Sequence, residues 1–202
     1  MDTAFVDTPR GIFTASGVWF RTTEALLKEY AGPVLEHESI ARLTIAAERW
    51  LRSPASLALW AMPLLLWRLG IMPALLITVG LYLLMSIWGP LFVGYWVQPL
   101  LKLLDQVSLQ ATYYIISLSV FAIVDRFELM AAGLAFFIVI RWGLLEKALE
   151  PVLKRVREAL YPVPYPDQLL KSVIVRAAMK YHVALPELDR MERSIMNQLQ
   201  RK

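Results

Sequence analysis

The chain contains no cysteine and only two histidines, His37 and His182, among its 202 residues. Without cysteine there is no disulfide, thiolate nucleophile, iron–sulfur cluster or cysteine zinc site. Both histidines lie outside the apolar middle of the chain, so a haem ligand within a membrane is also missing. The tripeptide Glu36-His37-Glu38 has no second histidine near it in sequence and is predicted to be a solvated helix face. The sequence therefore predicts no metal site, no cofactor and no catalytic residues.

Charge is scarce in the middle of the chain. Residues 53–140 hold three basic and three acidic side chains, and the two ends hold the other 18 basic and 14 acidic ones. The whole chain is 57% hydrophobic and 19% charged, against roughly 45–50% and about 25% in soluble domains. This distribution predicts an all-α polytopic membrane protein with a membrane domain at 53–145. The polar regions are an N-terminal arm with amphipathic helices at 1–52 and a C-terminal helical region at 146–202.

Four apolar runs predict two helical hairpins in the membrane. Each run is shorter than the roughly 20 residues that cross a bilayer without distortion, so local thinning or tilt has to accommodate it. The charged turn at 125–128 is too costly for the bilayer interior, which predicts that the second hairpin crosses fully. The first turn contains only Arg68, so the first hairpin either crosses or forms a shallower wedge. The runs are 54–69, 71–88, 107–124 and 129–145, and 89–106 is predicted to be an interfacial connector.

The positions of basic residues predict the orientation of the hairpins. Residues 141–202 carry twelve Lys and Arg against seven Asp and Glu, whereas each outward turn holds one basic residue, Arg68 or Arg126. Basic flanks are retained on the cytoplasmic side. We therefore expect both termini and the connector in the cytoplasm, with a bacterial plasma membrane as the location. The same rule explains a pI near 9.4 without nucleic-acid binding.

The N-terminal region is predicted to be an irregular arm followed by two helices. Pro9, Gly11 and Gly17 interrupt any periodic pattern within 1–20. A short helix is expected from Thr22 or Thr23 to Gly32 and Pro33. An amphipathic helix then runs to Arg52, with its apolar face on the membrane surface or on another protein helix. Ser53 and Pro54 are expected to cap and begin a new helix.

The C-terminal region is predicted to be a helical tail that needs a partner. An amphipathic helix is expected at 144–161, a proline-rich break at 161–166, and a helix capped by Asp167 that runs to about His182. A last helix carries apolar residues at helical spacing. The segment 167–202 is too small to be stable alone, so it should dock on the N-terminal helices, a second copy or another protein. The candidate contacts are Leu188, Met191, Ile195 and Leu199.

Two further groups of side chains are candidates for function. Polar residues at the start of the third run either line a pore shared between copies or join neighbouring helices. These residues are Asp105, Gln106, Gln110, Tyr113 and Tyr114. Basic residues at the end of the fourth run and along the C-terminal amphipathic helix are candidate contacts for anionic lipid. They are Arg141, Lys147, Lys154, Arg155 and Arg157.

The leading functional hypothesis is a non-catalytic structural, scaffold or accessory subunit of a membrane assembly. It predicts the lipid bilayer as one partner, and a second copy or other membrane-protein subunits as the other, bound through the cytoplasmic helices. A homo-oligomeric ion channel or pore is the alternative, and a membrane-shaping hairpin protein is the second alternative.

Overall fold

The computed structural model describes residues 5–92 and 103–200, with the backbone alone at 90–92. Within these ranges 78% of the residues are helical and the strands are few and short, so the predicted helical class is confirmed. Most of the predicted connector, 93–102, lies outside the described residues. The strands are β1 (Phe5–Thr8), β2 (Gly11–Thr14) and β3 (Trp19–Phe20). The helices are α1 (Glu24–Leu35), α2 (Ile40–Leu69), α3 (Ile71–Phe92), α4 (Val107–Ile123), α5 (Phe127–Arg141), α6 (Leu144–Leu160), α7 (Tyr165–Tyr181) and α8 (Leu188–Gln200).

The described residues form two compact units. Unit 1 contains 5–51, 90–92 and 156–200, and therefore includes residues from both ends of the chain. Unit 2 contains 52–89 and 103–155. Helices α2, α3 and α6 each contribute residues to both units.

An antiparallel three-stranded sheet opens unit 1, so the expected irregular arm was wrong. Strand β2 lies between β1 and β3. The glycines that interrupt helical periodicity belong to the hairpins. Gly11 has a φ of +133°, and a Cβ there would lie 2.0 Å from the carbonyl oxygen of Phe20. Ile12 and Phe20 are fully buried on the inner face.

Helix α1 organises the rest of unit 1. The Thr23 hydroxyl accepts a hydrogen bond from the Leu26 amide, as a cap does. The predicted stop at Gly32 and Pro33 is instead a kink, because Ala31 leaves helical geometry and the helix continues to Leu35.

Helices α7 and α8 pack against α1. Leu188, Met191 and Ile195 are buried there, and Leu199 is half-buried. Helix α1 therefore covers this row of apolar residues. The N-terminal helices were one of the three predicted docking partners.

Helix α2 runs without interruption through the predicted break at Ser53 and Pro54, so that prediction was wrong. Pro54 removes one backbone hydrogen bond from the helix, but it is itself buried, as are its neighbours Ser53 and Ser56. Packing therefore offsets the lost bond. In unit 1 the apolar start of α2 is also covered, because Leu43, Ala47 and Trp50 are buried. Of the two predicted environments for this apolar face, it therefore packs against protein and does not lie on the membrane surface.

Unit 2 consists of two antiparallel hairpins whose turns lie at the same end. Met62 and Thr78 are each eight residues from Gly70, and the Thr78 hydroxyl lies 3.4 Å from the Met62 sulfur, so α2 and α3 fold back on each other. Tyr114 and Phe137 are likewise equidistant from the second turn, with ring centroids 4.7 Å apart.

Helices α2 and α4 run parallel to each other. Trp60 stacks on Tyr113, and one level further along Trp67 stacks on Phe121. Because α2 and α4, the first helices of the two hairpins, run in the same direction, Gly70 and the turn at 125–126 lie at one end of the bundle.

Candidate membrane-embedded site

Within the described residues, α3 alone is both long and apolar enough to cross a membrane as one helix. Its candidate span is Ile71–Gly89, 19 residues, or about 28 Å at 1.5 Å per residue. Helices α5 and α6 would form a second span only if taken together, and they bend by 59° between them. Helix α4 is a shorter apolar helix of 17 residues. By length and composition, therefore, one helix could cross a membrane, or two spans could if the bent pair counts as one, and the predicted four crossings are not confirmed.

In helix α3 the distribution of buried and exposed residues is the reverse of that in a helix of a soluble protein. Only 22% of its most apolar stretch is buried. Its buried positions follow one face at spacings of four and three, and each is small or carries a hydroxyl: Ala74, Thr78, Tyr82, Ser86 and Gly89. Large aliphatic side chains point outward, including Met72 and Leu76, which are 68% and 64% exposed. A soluble amphipathic helix shows the reverse pattern.

The exposed apolar surface extends over the other helices of unit 2. Monomeric soluble proteins rarely expose contiguous apolar patches larger than a few hundred Å². Here each of the remaining three bundle helices contributes large exposed side chains: Leu64 and Trp67 on α2, Ile115, Ile116, Val120 and Ile123 on α4, and Phe127 and Leu134 on α5.

A polar cluster joins α2 to the start of α4. The Leu104 carbonyl accepts hydrogen bonds from the Trp60 indole at 3.0 Å and the Gln110 amide at 2.6 Å. Asp105 accepts a hydrogen bond from the Ser56 hydroxyl at 3.1 Å. The Tyr113 hydroxyl donates to the Trp60 carbonyl at 3.2 Å, which fixes the stacked pair of rings.

The five candidate polar residues thus have different surroundings. Asp105, Gln110 and Tyr113 belong to the cluster between helices of one chain. Tyr114 is buried and packs on Phe137. Gln106 is exposed and precedes α4 without a side-chain capping bond. Asp105 and Tyr113 therefore bond directly to α2, and Gln110 bonds to the Leu104 carbonyl, which also accepts from Trp60 of α2.

Charge at the opposite end of the bundle is confined to the turns. Asp125 has a φ of +61°, and the Arg126 guanidinium pairs with Glu128 at 2.6 Å while both side chains stay about half exposed. Arg68 lies exposed at the end of α2. Between Asp105 and Asp125, helix α4 has 17 residues and is about 26 Å long, somewhat less than the roughly 30 Å of the hydrocarbon core.

The candidate lipid contacts, Arg141 at the end of α5 and four residues on α6, border an apolar face of α6 that the protein covers only in part. Leu153 is fully buried, whereas Leu144 and Val152 are exposed. Arg141, Lys147, Lys154 and Arg155 are exposed. Arg157 has a neighbour of its own, because its guanidinium lies 4.0 Å from the centre of the Tyr165 ring.

Two carboxylates in unit 1 have roles that sequence analysis missed. Asp167, expected to cap α7, lies inside its first turn and accepts hydrogen bonds from the Thr22 hydroxyl and amide and from the Arg21 amide. Burial raises the pKa of Asp167 by more than these three bonds lower it. No local pattern signals this contact, since its partners are about 145 residues away.

The second carboxylate, Glu38, was expected to be solvated, but it forms hydrogen bonds to α7. It accepts hydrogen bonds from the Tyr181 hydroxyl at 2.7 Å and from Lys180 at 3.2 Å, and His37 stacks on the Tyr181 ring. The Tyr181 bond lowers the pKa of Glu38; burial opposes this shift and Lys180 adds to it. The hydrogen bonds from Tyr181 and Lys180 to Glu38 hold the segment before α2 against the end of α7.

Replacing Tyr181 with phenylalanine should raise the pKa of Glu38 towards its ordinary value of 4.5. We expect a loss of about 1 kcal/mol in the stability of unit 1, the usual contribution of one hydrogen bond. Titration of the Glu38 carboxyl carbon by NMR measures the shift. Arg42→Gln is the comparison: Arg42 also lowers the pKa of Glu38, but it contributes least and is 76% exposed at 3.7 Å, so its removal should raise this pKa by less. An identical Glu38 titration in Tyr181→Phe and the parent would contradict this role.

No protein-family model, curated protein or solved structure matches the chain.

Proposed function

We propose that the chain is a two-hairpin integral membrane protein that acts as a non-catalytic scaffold or accessory subunit of a membrane assembly. Unit 2 is the membrane anchor, with α3 as a full span and the shorter helices completed by local thinning of the bilayer. Unit 1 is the module through which the protein meets other subunits or a second copy. Both termini lie on the cytoplasmic side of a plasma membrane.

The inverted surface of α3 carries this proposal. A buried core helix of a soluble protein also passes a test of length and apolarity, but most of its surface would be covered. Helix α3 instead turns its small and hydroxylated residues inward, where such residues allow close packing and hydrogen bonding between helices in lipid. Leaving its aliphatic face in water would be costly, whereas lipid solvates it.

The arrangement of unit 2 supports two hairpins in one orientation. Parallel α2 and α4 bring both turns to one end, and the charges of Asp125, Arg126 and Glu128 gather there. The positive-inside rule then assigns this end, with only Arg68 and Arg126 as basic residues, to the outside.

The scaffold role is supported by how the polar groups are used. In unit 2, Asp105, Gln110 and Tyr113 hydrogen-bond to other residues of the same chain, which favours a structural use of these groups over the lining of a shared pore. In unit 1, residues from both ends of the chain are buried, among them Phe20, Leu27 and Met191, and α1 packs against α7 and α8. A folded module fixed to a compact anchor suits binding to other subunits.

The mass of the protein in native lipid discs tests the proposal. We expect either more than one copy of the 23.1 kDa chain or a membrane-protein subunit that remains bound through purification. Leu188→Ser, which opens the core of unit 1 beneath α8, should reduce that association, whereas the exposed Asn197→Ser should not. A monodisperse monomer in the discs, with nothing else bound, would overturn the scaffold role.

A further inference from the structure

The outer face of the N-terminal sheet carries a continuous row of apolar side chains. Val6 pairs with Phe13 across β1 and β2, and Phe13 pairs with Trp19 across β2 and β3. Because side chains alternate along a strand, all three point away from the buried face that holds Ile12 and Phe20. They are 59%, 47% and 40% exposed, respectively.

Positive charge borders this row. The Arg21 guanidinium lies 3.7 Å from the centre of the Trp19 ring, and Arg10 is in the exposed β1–β2 turn. Arg10 also lines an open depression of about 430 Å³ together with Phe13 and Trp19. Acidic groups beside the sheet accept hydrogen bonds of their own: Asp7 from the Glu24 amide, Glu48 from the Ser16 hydroxyl, and Asp167 from the Arg21 and Thr22 amides and the Thr22 hydroxyl.

We propose that this face, Val6, Phe13 and Trp19 with Arg10 and Arg21, docks unit 1 onto the anionic surface of a lipid bilayer. Trp is suited to the boundary between headgroups and acyl chains because it combines an apolar ring with a polar N–H. Arginines beside it complement anionic headgroups, and their side chains reach the charge layer while the rings enter below it. The proposal rests on the membrane placement of unit 2.

The small size of the face favours lipid over a protein partner. Three partly exposed side chains offer on the order of 300 Å², whereas a stable protein interface needs about 800 Å² from each partner. A weak surface contact is sufficient for a domain that its own chain already holds at the membrane, because tethering supplies a high effective concentration.

Single cysteines test the docking in the full chain, which has no native cysteine. Phe13→Cys labelled with an environment-sensitive fluorophore should be quenched by lipids that carry a headgroup spin label. The discs would contain phosphatidylcholine with or without phosphatidylglycerol. We expect strong quenching only with phosphatidylglycerol, and little at the control position Asn197→Cys, which is exposed on α8. Arg10→Gln and Arg21→Gln should each lower the docked-to-undocked ratio about fivefold.

A label on Leu76→Cys, quenched by acyl-chain spin labels, reports separately on unit 2. Quenching at residue 76 without quenching at residue 13 would overturn the docking and leave the membrane placement standing. No quenching at residue 76 would overturn the membrane placement itself. Equal quenching at residue 13 in both lipids would overturn the role of the arginines, and a label that is protected from water but not quenched by lipid would assign the face to a protein.

Discussion

Replacing Leu76 with aspartate should prevent stable insertion of the first hairpin. Leu76 is 64% exposed and lies about 6 Å along the helix from the middle of the Ile71–Gly89 span. An ionised carboxylate near the centre of a bilayer costs about 2.5–3.5 kcal/mol on the insertion scale, which is roughly a 100-fold change in the insertion equilibrium. If this surface were in water, the same exposed substitution would change stability by less than about 0.5 kcal/mol.

The readout has to report on this hairpin alone, because α4 and α5 would still hold the chain in the membrane. In the parent carrying Arg68→Cys, a membrane-impermeant maleimide added to intact cells should label the turn, while Glu187→Cys should react only after permeabilisation. In the Leu76→Asp variant the label at residue 68 should be lost.

Met179→Asp is the matched control, because Met179 is also 64% exposed but lies on α7 in unit 1. Labelling at residue 68 that is unchanged by Leu76→Asp would show that α3 does not contact lipid. Labelling of residue 187 from outside would overturn the orientation.

The bundle of unit 2 could be predicted because its signals are local. Apolar runs bounded by Gly70 and by the charged turn at 125–128 define two hairpins, and each helix retains its own hydrophobic pattern. The residues at which each helix begins and ends were less predictable. Pro54 follows a serine, as at a helix start, yet α2 continues through it because the surrounding residues are buried. Only tertiary structure determines that outcome.

Unit 1 was less predictable because its contacts join distant parts of the sequence. Gly11 and Gly17 resemble breaks in a helical pattern, and the three strands around them, of two to four residues each, are too short to show an alternation of apolar and polar residues. The stripe of Leu188, Met191 and Ile195 was visible, but its covering helix, α1, lies more than 150 residues earlier. Sequence periodicity identifies a face that needs covering and gives no information on which element covers it.

Among the candidate site residues, the sequence located the polar cluster but did not distinguish its use. Asp105, Gln110 and Tyr113 fall at one end of an apolar run, which fits both a pore and a helix contact. The distinction depends on Trp60 and Ser56 of the neighbouring helix, which only the parallel packing of α2 and α4 brings close. The two carboxylates of unit 1, Glu38 and Asp167, had no distinguishing pattern.

Asp167→Ala should release the N-terminal sheet from α7. The substitution leaves the amides of Arg21 and Thr22 and the Thr22 hydroxyl without their acceptor inside a buried site, and each such loss costs about 1–3 kcal/mol. A combined loss of about 3 kcal/mol corresponds to a roughly 100-fold increase in local opening. Hydrogen exchange of the full chain in lipid discs, followed on peptides covering 5–27, measures it.

Asp189→Ala supplies the control, since Asp189 is 87% exposed in its pair with Lys171 and a surface pair contributes less than about 1 kcal/mol. Asp167→Asn retains one acceptor oxygen and should give an intermediate increase in exchange. Protection of 5–27 that is unchanged in Asp167→Ala would mean that the sheet is held by its apolar face alone.

We call the three hydrogen bonds accepted by Asp167 the Asp167 clasp. The pH dependence of stability distinguishes it from the hydrogen bonds of Glu38, because the pKa shifts of the two carboxyl groups have opposite signs. Burial raises the pKa of Asp167 above 3.8, so its contribution is complete below that value and declines as the pH rises through the raised pKa. The pKa of Glu38 is lowered from 4.5, so its contribution is complete above that value and is lost as the pH falls through the lowered pKa. Acidification should therefore increase exchange around residues 36–42, after correction for intrinsic rates, while the Asp167 clasp keeps 5–27 protected. Simultaneous loss of protection in both segments would contradict the opposite signs.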